Sequence, residues 1–120
     1  MRYAVIKIEP DLESDLMETG SAFTAALNKG IYQGERFTFE TPGALFSAIT
    51  PRRWDVLNYL QGKPAMSIRE LAKCLKRDVK NVHSDVTRLL AIGLIEKNEA
   101  GQVLSPFSEI RTEFVLKGAA

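Results

Sequence analysis

The chain is poor in the residues on which metal and disulfide chemistry depend. Cys74 is its one cysteine and His83 its one histidine. A single thiol excludes an intramolecular disulfide, and the two residues fall short of the four Cys or His ligands of a structural zinc site. A reducing compartment is the expected setting. No apolar run approaches the roughly 18 residues of a membrane span. Residues 1–10 lack the basic start, hydrophobic stretch and small-residue cleavage site of a signal peptide, so a cytoplasmic protein without membrane contact is expected. Phosphate-cradling glycine loops are absent too: Gly93 and Gly101 are isolated, with no Gly-Lys-Ser/Thr after them. His83 and Cys74 are the only candidates for nucleophilic chemistry, and no base, orienting group and oxyanion site can be assembled around them. The reading is therefore no enzyme, no catalytic residue, no metal and no cofactor.

What is present suits one folded core. The chain has 120 residues, 45% of them hydrophobic and 26% charged, and at this size about two thirds of the unfolded surface is buried on folding. A net charge of +1 conceals an asymmetry. Residues 1–49 carry four basic against seven acidic groups, residues 50–97 ten against five, and residues 98–120 two against three. A basic middle beside an acidic beginning points to a polyanion-facing module joined to a segment with another task. The acids Glu9, Asp11, Glu13, Asp15 and Glu18 crowd a helix start, where the dipole favours anions, and need no metal to explain them.

The first forty residues read as an extension of strand, helix and strand. Arg2 to Ile8 is short, apolar and bounded by Pro10, as a mostly buried strand should be. Leu12, Leu16, Phe23 and Leu27 keep to one face of a helix over Asp11–Lys29, weakened at Gly20-Ser21 and stopped by Gly30. Glu35 to Glu40 alternates, with Phe37 and Phe39 on the buried side. Thr41-Pro42 and Thr50-Pro51 each supply a cap followed by proline at the first helical position. The first of these helices turns Leu45 and Ile49 inward, and the second Trp54, Leu57 and Leu60 before it ends at Gly62.

From Ser67 the pattern sharpens. Ser67-Ile68-Arg69-Glu70 is a capping box, and Ile68, Leu71, Ala72 and Leu75 follow on one helical face. Lys76-Arg77 makes a turn, and Asp78 is placed to cap a helix over 79–92. In that helix Val79, Val82, Val86, Leu89 and Leu90 span roughly 100° of arc. Gly93 stops it. A hairpin over 94–105 follows, with Leu94 and Ile95 opening a strand, Asn98 to Gly101 turning and Val103-Leu104 returning. The predicted fold is α+β: a winged helix-turn-helix over 41–120, carrying the 1–40 extension and a C-terminal strand.

In helix-turn-helix proteins the outward side chains of the second helix of the motif meet base edges in the major groove. Lys80, Ser84 and Arg88 recur at i, i+4, i+8, flanked by Asn81 and Thr87, and all five are assigned to base reading. Lys or Arg can bond guanine O6 and N7, Asn can bond adenine doubly, and Thr can touch a thymine methyl. Arg52, Arg53, Lys73, Lys76, Arg77, His83 and Lys97 are assigned to phosphates, which give affinity and register. His83 is also expected to pack partly buried at the apolar edge of the helix. Asp85 is expected at the edge of the reading arc, where it would repel phosphate. The competing explanation is an ordinary solvated helix face or a winged helix that docks protein.

Residues 67–73 (Ser-Ile-Arg-Glu-Leu-Ala-Lys), 77–86 (Arg-Asp-Val-Lys-Asn-Val-His-Ser-Asp-Val) and 93–97 (Gly-Leu-Ile-Glu-Lys) carry a family resemblance. Over about residues 35–114 the chain resembles the small MarR-like winged-helix transcriptional regulators of bacteria and archaea. The resemblance implies a sequence-specific DNA-binding transcriptional regulator, a repressor with a double-stranded DNA operator as partner; some members are antitoxins encoded beside a small toxin, which would add a cognate toxin protein as partner. It carries Lys80, Asn81, His83 and Arg88 over as family-like positions, whereas Ser84 departs from the basic residue expected there. One winged helix reads few base pairs, so a homodimer on half-sites about 34 Å apart is expected. Residues 1–40 and Ile110 to Leu116 are its candidate interface. Ile110, Thr112, Phe114 and Leu116 alternate with Arg111, Glu113 and Val115, giving a strand that extends the wing sheet, pairs with another chain, or completes the monomer core.

Overall fold

The computed structural model describes residues 2–9, 34–116 and 118. The described elements run β1 (Tyr3–Ile8), β2 (Glu35–Phe39), α1 (Pro42–Ala48), α2 (Pro51–Leu60), α3 (Ile68–Leu75), α4 (Val79–Ile92), β3 (Glu96–Lys97), β4 (Val103–Leu104) and β5 (Glu109–Glu113). The helix predicted over Asp11–Lys29 lies outside the described residues. The class is α+β, with helices and two small sheets.

Local chemistry accounts for most helix ends. The Thr41 hydroxyl accepts from the Ala44 amide at 3.0 Å ahead of Pro42, and the Ser67 hydroxyl from the Glu70 amide at 3.1 Å. Thr50 and Asp78 stand at the caps of α2 and α4 with extended backbone, but neither side chain makes the capping bond. For Asp78 this corrects the expected role: the residue marks the helix start without its carboxylate holding it. The α3–α4 turn is closed by Lys76 in the left-handed conformation (φ 57°), with the Arg77 amide donating back to the Ala72 carbonyl at 3.0 Å. Gly93 (φ 100°) ends α4 in the same way, its neighbour Leu94 donating to Leu89.

Helices α3 and α4 pack through Leu71, Ala72, Val82, Val86 and Leu89, all buried, and α2 adds Val56, Leu57 and Leu60. Burying one such large aliphatic side chain contributes about 1.5–3 kcal/mol before entropy is set against it. Val79, expected in this stripe, lies in the first turn of α4 and is 43% exposed. Leu94 and Ile95 are buried but precede the strand they were expected to open; β3 begins at Glu96. It pairs antiparallel with β4. Asn98 builds the hairpin tip, its side-chain oxygen accepting from the Ala100 and Gln102 amides, while Gly101 takes the left-handed position (φ 82°). A Met66–Val103 bridge, with two backbone bonds of 3.0 and 2.8 Å, ties the hairpin to the residue before α3's cap.

The second sheet is parallel, in the order β2-β1-β5. Ile6 sits opposite Phe37 and Thr112, and Ala4 opposite Glu35 and Ile110. Ala4 and Ile6 are fully buried in the same core as the helices, against which Phe37, Phe39 and Ile110 also pack. β5 therefore joins β1, not the wing. Arg2 links the two sheets: its guanidinium donates to both Glu35 oxygens (3.0 and 2.8 Å) and to Glu96 of β3 (2.9 Å), over the Phe107 ring. Those hydrogen bonds, Glu35's first, raise the Arg2 pKa further above its usual range.

Candidate nucleic-acid interface

Helix α4 presents one continuous polar face. Lys80, Asn81, His83, Ser84, Thr87, Arg88 and Ala91 are all exposed, on the side opposite Val82, Val86 and Leu89. The five residues assigned to base reading thus share one surface. From Lys80 to Arg88 that face runs about 12 Å at 1.5 Å per residue. The Thr87 hydroxyl is occupied internally, donating to the His83 carbonyl at 2.8 Å. His83 is exposed, correcting the expectation of a partly buried packing residue.

Two shallow recesses flank this face. The larger, about 550 Å³ and open to solvent, is lined by Arg53, Lys80, His83, Ser84, Thr87, Arg88 and Ala91, with no carboxylate among them. The smaller, about 260 Å³, lies among Thr50, Arg52, Arg53, Arg77, Asn81, Ser84 and Asp85. Their walls bring α2's start and the α3–α4 turn beside α4.

Asp85 is the residue that departs most from expectation. It is buried, and its carboxylate accepts from Arg53 Nε at 3.1 Å and from a terminal Arg77 nitrogen at 2.6 Å. Side-chain exposures of 12% for Asp85, 19% for Arg53 and 13% for Arg77 make this an internal triad and not a rim contact. Arg53 also donates to the Ala48 carbonyl at 2.8 Å, and Arg77 reaches the Arg52 carbonyl at 3.5 Å. The triad clamps α1, α2, the turn and α4 together. It also pairs the carboxylate that lines the smaller recess with two guanidinium groups.

The phosphate candidates accordingly fall into two groups. Arg52, Lys73, Lys76, His83 and Lys97 are exposed, Lys97 on the β3–β4 hairpin and the others on α2, α3, the α3–α4 turn and α4. Arg53 and Arg77 hold Asp85 instead, and only their margins reach the recess wall. Sequence reasoning missed the triad. Its signal was an acid three residues after Val82 and four before Leu89, close to the buried stripe, in a segment with a surplus of basic groups.

Other candidate chemistry stays dispersed. Cys74 is exposed on α3, and the neighbouring Tyr59 phenol has its pKa raised, first by a hydrogen bond with that thiol and then by burial. Among the described residues no three of His, Cys, Asp and Glu gather to hold a metal ion, and no helix is long and apolar enough to cross a membrane.

The HVO_A0114 family model matches residues 48–112, more than half of the chain and all of α2 to β4. No curated protein matches. Among solved structures, the multiple antibiotic-resistance repressor (MarR) of Listeria monocytogenes is similar over 77% of this chain at 16% identity, with a TM-score of 0.44. The chain spans 60% of that protein's length.

Proposed function

The chain belongs to the HVO_A0114 family, and for this member we propose sequence-specific binding to double-stranded DNA as a transcriptional regulator, acting as a repressor. In this reading α4 enters the major groove and the 94–105 hairpin is the wing. The observation that carries it is the face of α4, unobstructed by any described residue, where Lys80, Asn81, Ser84, Thr87 and Arg88 stand together beside a recess with no carboxylate in its lining.

A helix of this width fits the major groove, and the 12 Å between Lys80 and Arg88 covers three to four base pairs at about 3.4 Å each. Lys80 and Arg88 are assigned to guanine edges, Asn81 to adenine, Ser84 to either, and the Thr87 methyl to thymine. Arg52, Lys73, Lys76, His83 and Lys97 are assigned to phosphates. Arg53 and Arg77 act mainly by fixing the angle at which α4 leaves the turn. Residues 41–120 form the DNA-binding unit and residues 1–40 an extension that serves assembly, with two copies engaging adjacent half-sites.

The test is a gel-shift titration against the DNA upstream of the protein's own gene at two salt concentrations. Lys80→Ala and Arg88→Ala should each weaken specific binding about tenfold or more, since one good base contact contributes about 1–3 kcal/mol of discrimination. Unchanged affinity in both variants would reject α4 as the reading helix.

A further inference from the structure

β5 is an edge strand: β1 occupies one side, and the described structure places no strand on the other. Such an edge leaves half of its backbone amides and carbonyls directed outward, ready to pair with another strand. Among the described residues, four of the five exposed large hydrophobic ones gather at its C-terminal end. Phe114 is 45% exposed and stacks edge-on against Phe46 of α1, itself 51% exposed, while Val115 and Leu116 are 71% and 79% exposed. An apolar end beside an open edge marks a surface suited to a protein partner.

The charges on the strand say which partner. Glu109, Arg111 and Glu113 share the outward face, and Ile110, Thr112 and Phe114 share the face of Ala4 and Ile6. We propose that two copies of this chain join through β5, antiparallel, in the register that sets Thr112 opposite Thr112 of the second copy. That register places Arg111 opposite Glu113 of the second copy, and by symmetry does so twice. It also places Ile110 opposite Phe114 twice. Moving the axis to Arg111 would set Glu109 against Glu113, and moving it to Glu113 would set two carboxylates face to face. An axis at Ile110 would require Phe107 and Ser108 as strand, but Phe107 is buried and the Ser108 amide is bound to the Arg2 carbonyl. Of these registers only the Thr112 one pairs Arg111 with Glu113 and sets no like charges opposite, Glu109 falling against Val115, and the resulting six-stranded sheet closes both open β5 edges.

The inference rests on the reading that two copies act together, but its test does not use DNA. Sedimentation across a concentration series measures the dimer dissociation constant. Arg111→Glu turns two attractive cross-strand pairs repulsive and should weaken the dimer at least about tenfold. Glu113→Arg should do the same while also facing Lys7, now 3.5 Å from Glu113. An equimolar mixture of the two variants again opposes carboxylates with guanidinium groups and should regain wild-type dimerisation. With Cys74→Ser removing the native thiol, Thr112→Cys should form an intermolecular disulfide on oxidation, because directly opposed strand residues lie within bridging distance. A dimer unaffected by Arg111→Glu, or a mixture that does not recover, overturns the β5 interface while leaving the two-copy reading standing. A wild-type protein that stays monomeric throughout overturns both. Lys80→Ala should leave dimerisation unchanged.

Discussion

Removing the Asp85 carboxylate is the perturbation with the largest consequence. The group receives two charge-assisted hydrogen bonds, at 3.1 Å from Arg53 and 2.6 Å from Arg77, in surroundings where all three side chains are less than one fifth exposed. Breaking a buried pair by deleting one partner costs about 3–5 kcal/mol, mostly because the remaining charge is stranded. Two features reduce that here. Arg53 keeps its bond to the Ala48 carbonyl, and both arginines reach the recess wall, where they can rehydrate. Asp85→Ala should therefore lower stability by about 2–4 kcal/mol. For a chain of this length the unfolding entropy makes 1 kcal/mol equivalent to about 4 °C, so the expected fall in Tm is about 8–16 °C. Asp85→Asn, which keeps the shape and one acceptor oxygen, should cost about half as much. Urea and thermal unfolding give the values, and a double-mutant cycle with Arg77→Ala should show coupling above about 1 kcal/mol. A Tm within 2–3 °C of wild type, or additive effects in the cycle, would refute the clamp. If α4 faces DNA as proposed, the folded variant should bind non-specific DNA more tightly and with a steeper salt dependence, because two arginines are released toward the phosphates.

Two further outcomes test how the turn and the wing are built. Lys76 holds a left-handed backbone conformation that costs an L-residue about 1 kcal/mol, so Lys76→Gly should raise stability by a fraction of that cost in urea unfolding, and a loss of stability would show that the lysine side chain compensates. Asn98→Ala removes the oxygen that accepts two backbone amides at the hairpin tip; it should lower global stability by only about 1 kcal/mol while markedly increasing amide exchange at Ala100 and Gln102, and unchanged exchange there would contradict the turn geometry.

Elements whose signals are local were legible in the sequence. Thr41-Pro42, Ser67 with Glu70, and Gly93 each act within four residues, so their positions required no knowledge of the rest of the chain. The polar face of α4 was legible for the same reason: a helix period fixes which side chains share a side once Val82, Val86 and Leu89 are buried. Strand partners were not. Alternation in Glu109–Glu113 identifies a strand, but its pairing with Tyr3–Lys7 spans more than a hundred residues and leaves no local mark, so a place in the wing sheet was equally consistent with the residues.

Asp85 shows the same limit within a single helix. The wheel places it between exposed Asn81 and buried Leu89, and carboxylate chemistry alone would send it outward. Its direction is decided by Arg53, thirty-two residues earlier, and by Arg77, which the left-handed turn at Lys76 swings toward α4. Two cations converging on one position reverse the preference of the isolated residue, because the carboxylate exchanges water for two fixed donors. The same exchange withdraws Arg53 and Arg77 from the exposed set, so the cations around α4 are divided between those that hold the helix in place and those that stay open to solvent. If α4 binds DNA as proposed, that division should make stability and non-specific DNA affinity move in opposite directions when Asp85 is removed, a coupling that neither a solvated helix face nor a protein-docking surface would produce.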